Sequence, residues 1–400
     1  MIQNEVVIAS ACRTAIGSFQ GSLKDVHVVE LGRIVGEEVI KRAKIKKKDV
    51  DNVICGNVIQ AGAGGNVGRQ IQAAIGIPWE ASACTVNQLC VSSMRALEIG
   101  YQNIRLGLSE VCLVVGVENM SMAPYLLPKA RSGYRMGPGT IEDAMLLDAL
   151  VCSIENYHMG VTAENVAQDH AISREQQDAL ALLSQKRAAE AIKGGMFEDE
   201  IVPIEVKQKK ESVIFDTDEF PRPFTTAEGL SSLKPAFKEN GTVTAGNASG
   251  VNDGAAAVIL MSENKARKLK LPTFGRVAAT ANAGVEPAVM GLGPARAIPK
   301  ALKYSGISFE EVNCFEINEA FAAQFLGVEK LLREEYGCEL DREKVNPNGS
   351  GISLGHPLGC SGLRIVVSLV HQMQKIKARY GCASLCAGGG PGMAVIVDRQ

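Results

Sequence analysis

Cys90 in VNQLCVSS, His356 in GHPLGCSG and Cys386 in SLCAGGGPG supply two thiols and one imidazole, each at a turn where an apolar run gives way to helix-like or glycine-rich sequence. A cysteine with a histidine suits acyl transfer through a thioester, because the imidazole removes the thiol proton and the sulfur attacks a carbonyl. A second cysteine in a glycine-rich turn adds a base able to take a proton from carbon. Together the three point to carbon–carbon bond chemistry on thioesters. Cys90 follows the strand-like ACTV and opens a helix, whose unpaired N–H groups and dipole predict a stabilised thiolate; a buried structural cysteine is the alternative. His356 lies between Gly355 and Pro357, a turn that leaves the ring free of helix packing and accessible as a general base. Cys386 ends the strand-like ASLC and precedes Gly388, Gly389 and Gly390, whose amides can approach a substrate closely. Deprotonation α to a thioester needs a base at the α-carbon and donors at the enolate oxygen, and this turn offers both.

The elements that hold these residues belong to a chain of 400 residues, long enough for at least two packed cores. Hydrophobic content of 46 %, aromatic content of 5 % and 41 glycines describe a soluble α/β enzyme rather than a membrane or disordered protein. A net charge of -2 gives no field for nucleic acid, and no run approaches the roughly 20 apolar residues of a membrane helix. The start, MIQNEVVIASACRT, leads straight into strand-like sequence with no targeting segment. Eleven cysteines without CxxC spacing argue against a disulfide framework and a zinc site, and place the protein in a reducing cytoplasm. Cys12, Cys55, Cys112, Cys314 and Cys382 lie in strand-like stretches and read as small core residues.

Strand-like runs at Val6 to Ser10, Val53 to Val58 and Val111 to Val117 alternate with amphipathic helix-like stretches, the pattern of a layered sheet flanked by helices. The cadence returns near the end. DVDNVICGN from Asp49 aligns with EVNCFEINE from Glu311, placing Val50 on Val312, and SSMR at Ser92 aligns with SGLR at Ser361 in the same order. Two similarly folded halves follow, with Cys90 and Cys386 in different copies and a site between them. Asn119 to about Asn247 breaks the pattern with polar helical sequence and Pro/Lys-rich loops, an inserted cap suited to a binding surface.

The segments VNQLC, HMGVTAENVA, AGNASGVNDGAAA, EINEAFA, NGSGISLGHPLGCSG and LCAGGGPGMA, in this order along the whole chain, resemble the thiolases, and within them the acetyl-CoA acetyltransferase branch. The resemblance implies an α/β thiolase-like fold of two duplicated βαβαβαββ halves forming a layered αβαβα core, plus a helical loop domain. Residues 1–119 and 248–272 would form the half of Cys90, 120–247 the loop domain for coenzyme A binding and oligomerisation, and 273–400 the half of His356 and Cys386. It implies condensation of two acetyl-CoA to acetoacetyl-CoA and CoA, and the reverse thiolysis, by a ping-pong route through acetylated Cys90. His356 would deprotonate Cys90 and later help polarise the second thioester, with Asn318 holding an ordered water at the same oxyanion site and Glu319 supporting it. Backbone amides at Cys90 and Gly388 would form a second oxyanion site. His158 and Met159 would narrow the acyl pocket, Phe237 and Phe321 line its tunnel, Ser249 contact the pantetheine arm and Arg222 meet the coenzyme A nucleotide. Coenzyme A thioesters would be the substrates, with no metal and no permanently bound cofactor. A homo-oligomer, tetramer or dimer, is implied, with APYLLPKARSGYRMG similar to a tetramerisation loop.

The chain departs from this pattern at Ser93, where relatives carry glycine, at Val91, which adds bulk beside Cys90, and at Cys360, a residue of longer-chain relatives. Two alternatives remain: a broader-chain 3-ketoacyl-CoA thiolase of β-oxidation, supported by Cys360, and a Cys-His-Asn hydrolase using Cys90, His356 and Asn318, which leaves Cys386 without purpose. Cys84 and Cys360 also raise a reversible disulfide with Cys90, against their reading as extra core cysteines.

Overall fold

Nine strands build the core: β1 (Val6–Thr14), β2 (Asn52–Gly56), β3 (Ser82–Val86), β4 (Val111–Asn119), β5 (Asn252–Ser262), β6 (Gly275–Gly284), β7 (Cys314–Ile317), β8 (Tyr380–Cys386) and β9 (Pro391–Asp398). The structure, a computed structural model, describes residues 4–208 and 211–399; the first three residues of the leader reading lie outside them. The strand order is β7-β8-β9-β6-β1-β5-β4-β2-β3. Read outward from the centre, β1-β5-β4-β2 on one side mirrors β6-β9-β8-β7 on the other. The sense of pairing repeats too: β2 runs parallel to β4 as β7 does to β8, the pairs β4–β5, β5–β1, β8–β9 and β9–β6 are antiparallel, as is β1–β6 between the halves, and β3 adds parallel to β2. The duplication read from DVDNVICGN and EVNCFEINE is thus present as topology, with β3 the one strand lacking a counterpart. The two halves touch edge to edge through β1 and β6 at only two residue pairs, Val7↔Arg276 and Ile8↔Gly275.

Alternation along the strands separates the layers. In β4, Leu113 and Val115 face an outer core with helices α1 (Val28–Arg42) and α2 (Val67–Ile75), whereas Cys112 and Val114 face the middle of the molecule. There α3 (Ser92–Arg105) packs against the last long helix, and side chains from the strands of both halves close over them. Beyond α4 (Met159–Asp169) and α5 (Arg174–Lys193) of the inserted region, helices α6 (Gly293–Ser305) and α7 (Ala322–Tyr336) cover the outer face of the second half. The central helix of that half, α8 (Leu358–Lys375), is buried on every side through Met373, as its nearly continuous apolar sequence requires. Glycine brings the two central helices together: a Cβ on Gly362 would lie 2.7 Å from the Met94 nitrogen.

Two strand expectations and one helix start change in detail. The run Val53 to Val58 ends as a strand at Gly56, because the N–H groups of Val58 and Ile59 turn to the Glu118 carboxylate at 3.0 and 3.1 Å instead of a neighbouring strand. The first run extends to Thr14, and SGLR lies one turn inside its helix rather than opening it.

Candidate functional site

A cavity of 280 Å³ opens where the two halves meet the inserted region, and its wall includes Cys90, His356, Cys386, Gly388, His158, Met159, Phe237, Ser249 and Phe321. Cys90 reaches it from the turn between β3 and α3. Leu89 there adopts φ 50°, a left-handed conformation that costs a branched side chain about 1 kcal/mol or more and tilts the next residue out of line with the helix. Ser92 braces this turn, accepting from the Gln88 N–H at 2.9 Å and donating to the Leu89 carbonyl at 2.6 Å.

The Cys90 thiol is not a stabilised thiolate at rest. Burial pushes it up to about 11, against the opposing pull of the Gly388 N–H and its own N–H, which both point at the sulfur. Desolvation therefore overrides the helix terminus. Those two amides are the pair that the resemblance implies for a second oxyanion site, and a Cβ on Gly388 would lie 2.3 Å from Met159 Cε, so a side chain there would have to displace that methionine. The pH dependence follows directly. Alkylation of Cys90 by iodoacetamide in the free enzyme is expected to rise about tenfold per pH unit through pH 9, with its midpoint near 11; a plateau below pH 8 would show a stabilised thiolate after all.

His356 is buried rather than exposed, and sees solvent only through the cavity. Burial, helped by the charge of Arg364, depresses its pKa to about 3, so the ring is neutral at pH 7. Ser361 Oγ lies 2.6 Å from Nδ1 and donates to the Pro357 carbonyl at 2.9 Å. With the serine proton committed to that carbonyl, Nδ1–H donates to Ser361, which assigns the tautomer. Nε2 then carries the lone pair, and it is buried without a hydrogen-bond partner among the described residues. Asn318, at the end of β7, stands behind the ring and outside the cavity wall: Nδ2 is 3.4 Å from Nδ1, and Oδ1 accepts from Arg364 Nη2 at 3.5 Å. Glu319 accepts from Ser184 Oγ at 2.5 Å and Asn346 Nδ2 at 2.9 Å, which anchors the segment.

Cys386 ends β8 fully buried, and burial first, then the neighbouring Cys90 sulfur, hold its thiol well above the usual range. The opposite wall is apolar. His158 caps α4, its Nδ1 accepting from the Gly160 N–H at 3.0 Å, and its ring stacks on Phe237 at 4.7 Å. Phe237 meets Phe321 edge-on at 6.1 Å. Gly160 makes this stack possible, since a Cβ there would fall 2.2 Å from the Phe237 ring.

Arg222 lies elsewhere. It is exposed, stacked over Phe220, in a separate 220 Å³ cleft with Thr226, Leu233 and Gly246. Cys360 is buried in the central layer, in the cluster that Cys90 packs against, and Cys84 is exposed on β3; neither lines the cavity. Val91 also points into the central layer. Ser93 has a definite role: its hydroxyl donates to the Cys360 carbonyl at 3.2 Å and accepts from the Leu363 N–H at 2.9 Å, tying α3 to α8. Ser93→Gly is expected to cost about 1–3 kcal/mol, read as a lower midpoint in urea unfolding. Ser361 escaped sequence reasoning although it stands five residues after His356 in the same motif. Met120, Ala149, Leu150, Val251, Met290 and Leu358, also on the wall, carry no signal beyond apolarity.

Among the described residues no group of three or more His, Cys, Asp or Glu is placed to hold a metal, and no helix is long and apolar enough to cross a membrane. The sequence model described as "Thiolase, N-terminal domain" matches residues 6–264, and that described as "Thiolase, C-terminal domain" matches residues 271–399. The chain is 49 % identical to an acetyl-CoA acetyltransferase of Escherichia coli over 98 % of both chains, and 49 % identical to one of Pseudomonas aeruginosa over 99 % of this chain and 100 % of that one. Among solved structures it is similar to an acetyl-CoA acetyltransferase from Syntrophomonas wolfei (TM-score 0.98, 46 % identity, all of both chains). It is similar also to human mitochondrial 3-ketoacyl-CoA thiolase in complex with CoA (TM-score 0.94, 41 % identity, 100 % of this chain and 99 % of that one). Fold, site geometry and full-length identity agree, and the chain belongs to the thiolase family.

Proposed function

We propose that this protein condenses two molecules of acetyl-CoA to acetoacetyl-CoA and CoA, and runs the reverse thiolysis, with Cys90 carrying the acetyl group between half-reactions. The observation that carries this reading is the convergence of two thiols and one neutral imidazole with an unshared Nε2 on a single apolar cavity. A hydrolase needs Cys90 and His356 but has no use for Cys386.

At rest both partners are uncharged, so the Cys90 proton moves to His356 Nε2 as sulfur bonds to the thioester carbonyl. The oxyanion takes over the Cys90 and Gly388 N–H groups that the sulfur releases. Collapse breaks the bond to the CoA sulfur, which leaves with the proton from His356. Acetylation rules out a Cys90 thiolate beside Cys386, the smaller of the two causes that hold its thiol up, and leaves burial, the larger. Cys386 gives its proton to His356 Nε2, free again once CoA has left, and the resulting thiolate takes the α-proton of the second acetyl-CoA, whose carbonyl oxygen accepts from Nε2–H, with Asn318 supporting that oxyanion site through the water that the resemblance implies. The new carbon–carbon bond displaces Cys90 as a thiolate, which takes the proton from Cys386, and His356 returns its proton to Cys386.

The acyl end is kept short by His158, Met159 and Phe237, which touch the cavity, whereas Cys360, the residue favouring longer chains, does not. Thiolysis of acetoacetyl-CoA should therefore exceed that of a medium-chain ketoacyl-CoA by at least about tenfold in kcat/KM; the reverse preference would favour the broader-chain reading. Ser249 on the cavity rim suits the pantetheine arm, and the cleft of Arg222 suits the nucleotide of the same coenzyme A. The half of Cys90 spans 1–119 and 248–272, the loop domain 120–247, and the half of His356 273–400. We also place the protein in the cytoplasm as a homo-oligomer. Edge strand β3 exposes Ser82 and Cys84, and the segment after β4 exposes Tyr125, Met136 and Ile141, surfaces a second copy would cover.

The deciding experiment is mass spectrometry of peptides after brief mixing with acetoacetyl-CoA. An acetyl group on Cys90 that free CoA discharges supports the reading, and a reduced but unmodified Cys90 overturns it.

A further inference from the structure

Glu118, the penultimate residue of β4, is fully buried and its carboxylate accepts four hydrogen bonds from two separate parts of the chain. Oε1 takes Asn57 Nδ2 at 2.8 Å and the Ile59 N–H at 3.1 Å; Oε2 takes the Val58 N–H at 3.0 Å and the Gly359 N–H at 2.8 Å. Every partner is a donor, so only the ionised form satisfies all four. The two sets of donors lead to the two reacting groups. The Val58 carbonyl accepts from Asn87 Nδ2 at 3.2 Å, and Asn87 Oδ1 accepts from the Leu89 N–H at 3.0 Å, immediately before Cys90. Gly359 opens α8, three residues after His356, and its N–H is one of those a helix start leaves unpaired. Only glycine permits this approach: a Cβ on Gly359 would lie 2.6 Å from the Val117 carbonyl oxygen and 2.8 Å from Glu118 Oε2.

We propose that Glu118 is a positioning residue that ties the turn bearing Cys90 to the turn bearing His356, fixing across the two halves the separation at which the proton passes from sulfur to imidazole. This rests on the reading of Cys90 as nucleophile and His356 as its base. Glu118 lines no part of the cavity; its charge adds weakly to the burial that raises the Cys90 thiol, a contribution that does not depend on His356, whereas its positioning effect does.

The test is a double-mutant cycle on the full chain, with Glu118→Gln, His356→Ala and both together, following Cys90 acetylation by acetoacetyl-CoA in a rapid-quench instrument. Glu118→Gln turns one acceptor into a donor facing N–H groups, and the acetylation rate should fall about 10- to 100-fold with KM changed less than about threefold. In the His356→Ala background the same substitution should change the rate less than about twofold, because there is no imidazole left to position. A full-rate Glu118→Gln enzyme, or the same fractional loss in both backgrounds, overturns the proposal. Should Glu118→Gln fail to fold, Gly359→Ala keeps the carboxylate while pushing α8 away, and the same cycle applies. A wild-type enzyme that never acetylates Cys90 overturns the functional reading and this inference with it; a wild-type adduct with an unimpaired Glu118→Gln enzyme overturns the inference alone.

Discussion

Replacing Cys386 with alanine is expected to lower condensation and thiolysis by about 10³- to 10⁴-fold while leaving acetyl transfer from acetyl-CoA to Cys90 within about tenfold of normal. The split follows from geometry. Cys90, His356 and the Gly388 N–H assemble without the Cys386 side chain, since the amide at Gly388 belongs to the backbone. Proton removal from the α-carbon has no such reserve. Of the other groups on the described wall, Cys90 carries the acetyl group, His356 is engaged at the thioester oxygen and His158 uses Nδ1 for the Gly160 N–H, while the remaining lining is apolar or carries a hydroxyl. Isotope exchange between labelled CoA and acetyl-CoA reports acetyl transfer alone, and loss of label from acetyl-CoA deuterated at the α-carbon reports proton removal. Exchange should survive in the variant and deuterium loss should vanish. If both fall together, Cys386 acts on the geometry of Cys90 rather than on carbon. Alanine also removes the sulfur beside Cys90, whose own shift is dominated by burial, so its alkylation profile should move little.

Much of this site was legible because its residues stand in local signals. Cys386 ends a strand, Cys90 and His356 stand in turns just before helices, and glycine or proline beside His356 and after Cys386 marks the turn. The duplication was legible because two short alignments kept their order, and strand order repeats them. What escaped depends on distance and dielectric. The helix start at Ser92 suggested a thiolate, yet burial by residues far apart in sequence raises the thiol instead. Arg222 was read as meeting the coenzyme A nucleotide, and its loop carries it to a cleft separate from the one that holds the thiols. Glu118 carries no signal in the sequence, because its four partners come from 57–59 and 359, and no periodicity links those positions. Ser361 was read only as a helix landmark. Its bond to His356 needs Pro357 to hold the ring outside the helix, so that a residue five positions later comes within 2.6 Å.

Replacing His356 with asparagine should reduce both half-reactions, by about 10²- to 10⁴-fold each, in contrast to the one-sided loss at Cys386. Without the imidazole, the Cys90 proton has no acceptor inside a cavity that already holds the thiol up to about 11, and the departing CoA sulfur has no donor. The rate of the variant should then rise with pH, as hydroxide replaces the missing base, whereas the wild-type rate near neutrality draws on an imidazole that stays neutral down to about pH 3. Ser361→Ala provides the finer test. It removes the 2.6 Å partner of Nδ1 but leaves the ring, Asn318 and Arg364 in place. The tautomer with Nε2 unprotonated then loses its anchor, and a loss of about 10- to 100-fold in kcat with KM unchanged is the expected result, the scale on which residues supporting a histidine from behind act elsewhere. An unchanged kcat in Ser361→Ala, with His356→Asn still impaired, would mean that Asn318 sets the tautomer. In that case Asn318→Ala should show the loss, because Oδ1, not Nδ2, would have to face Nδ1.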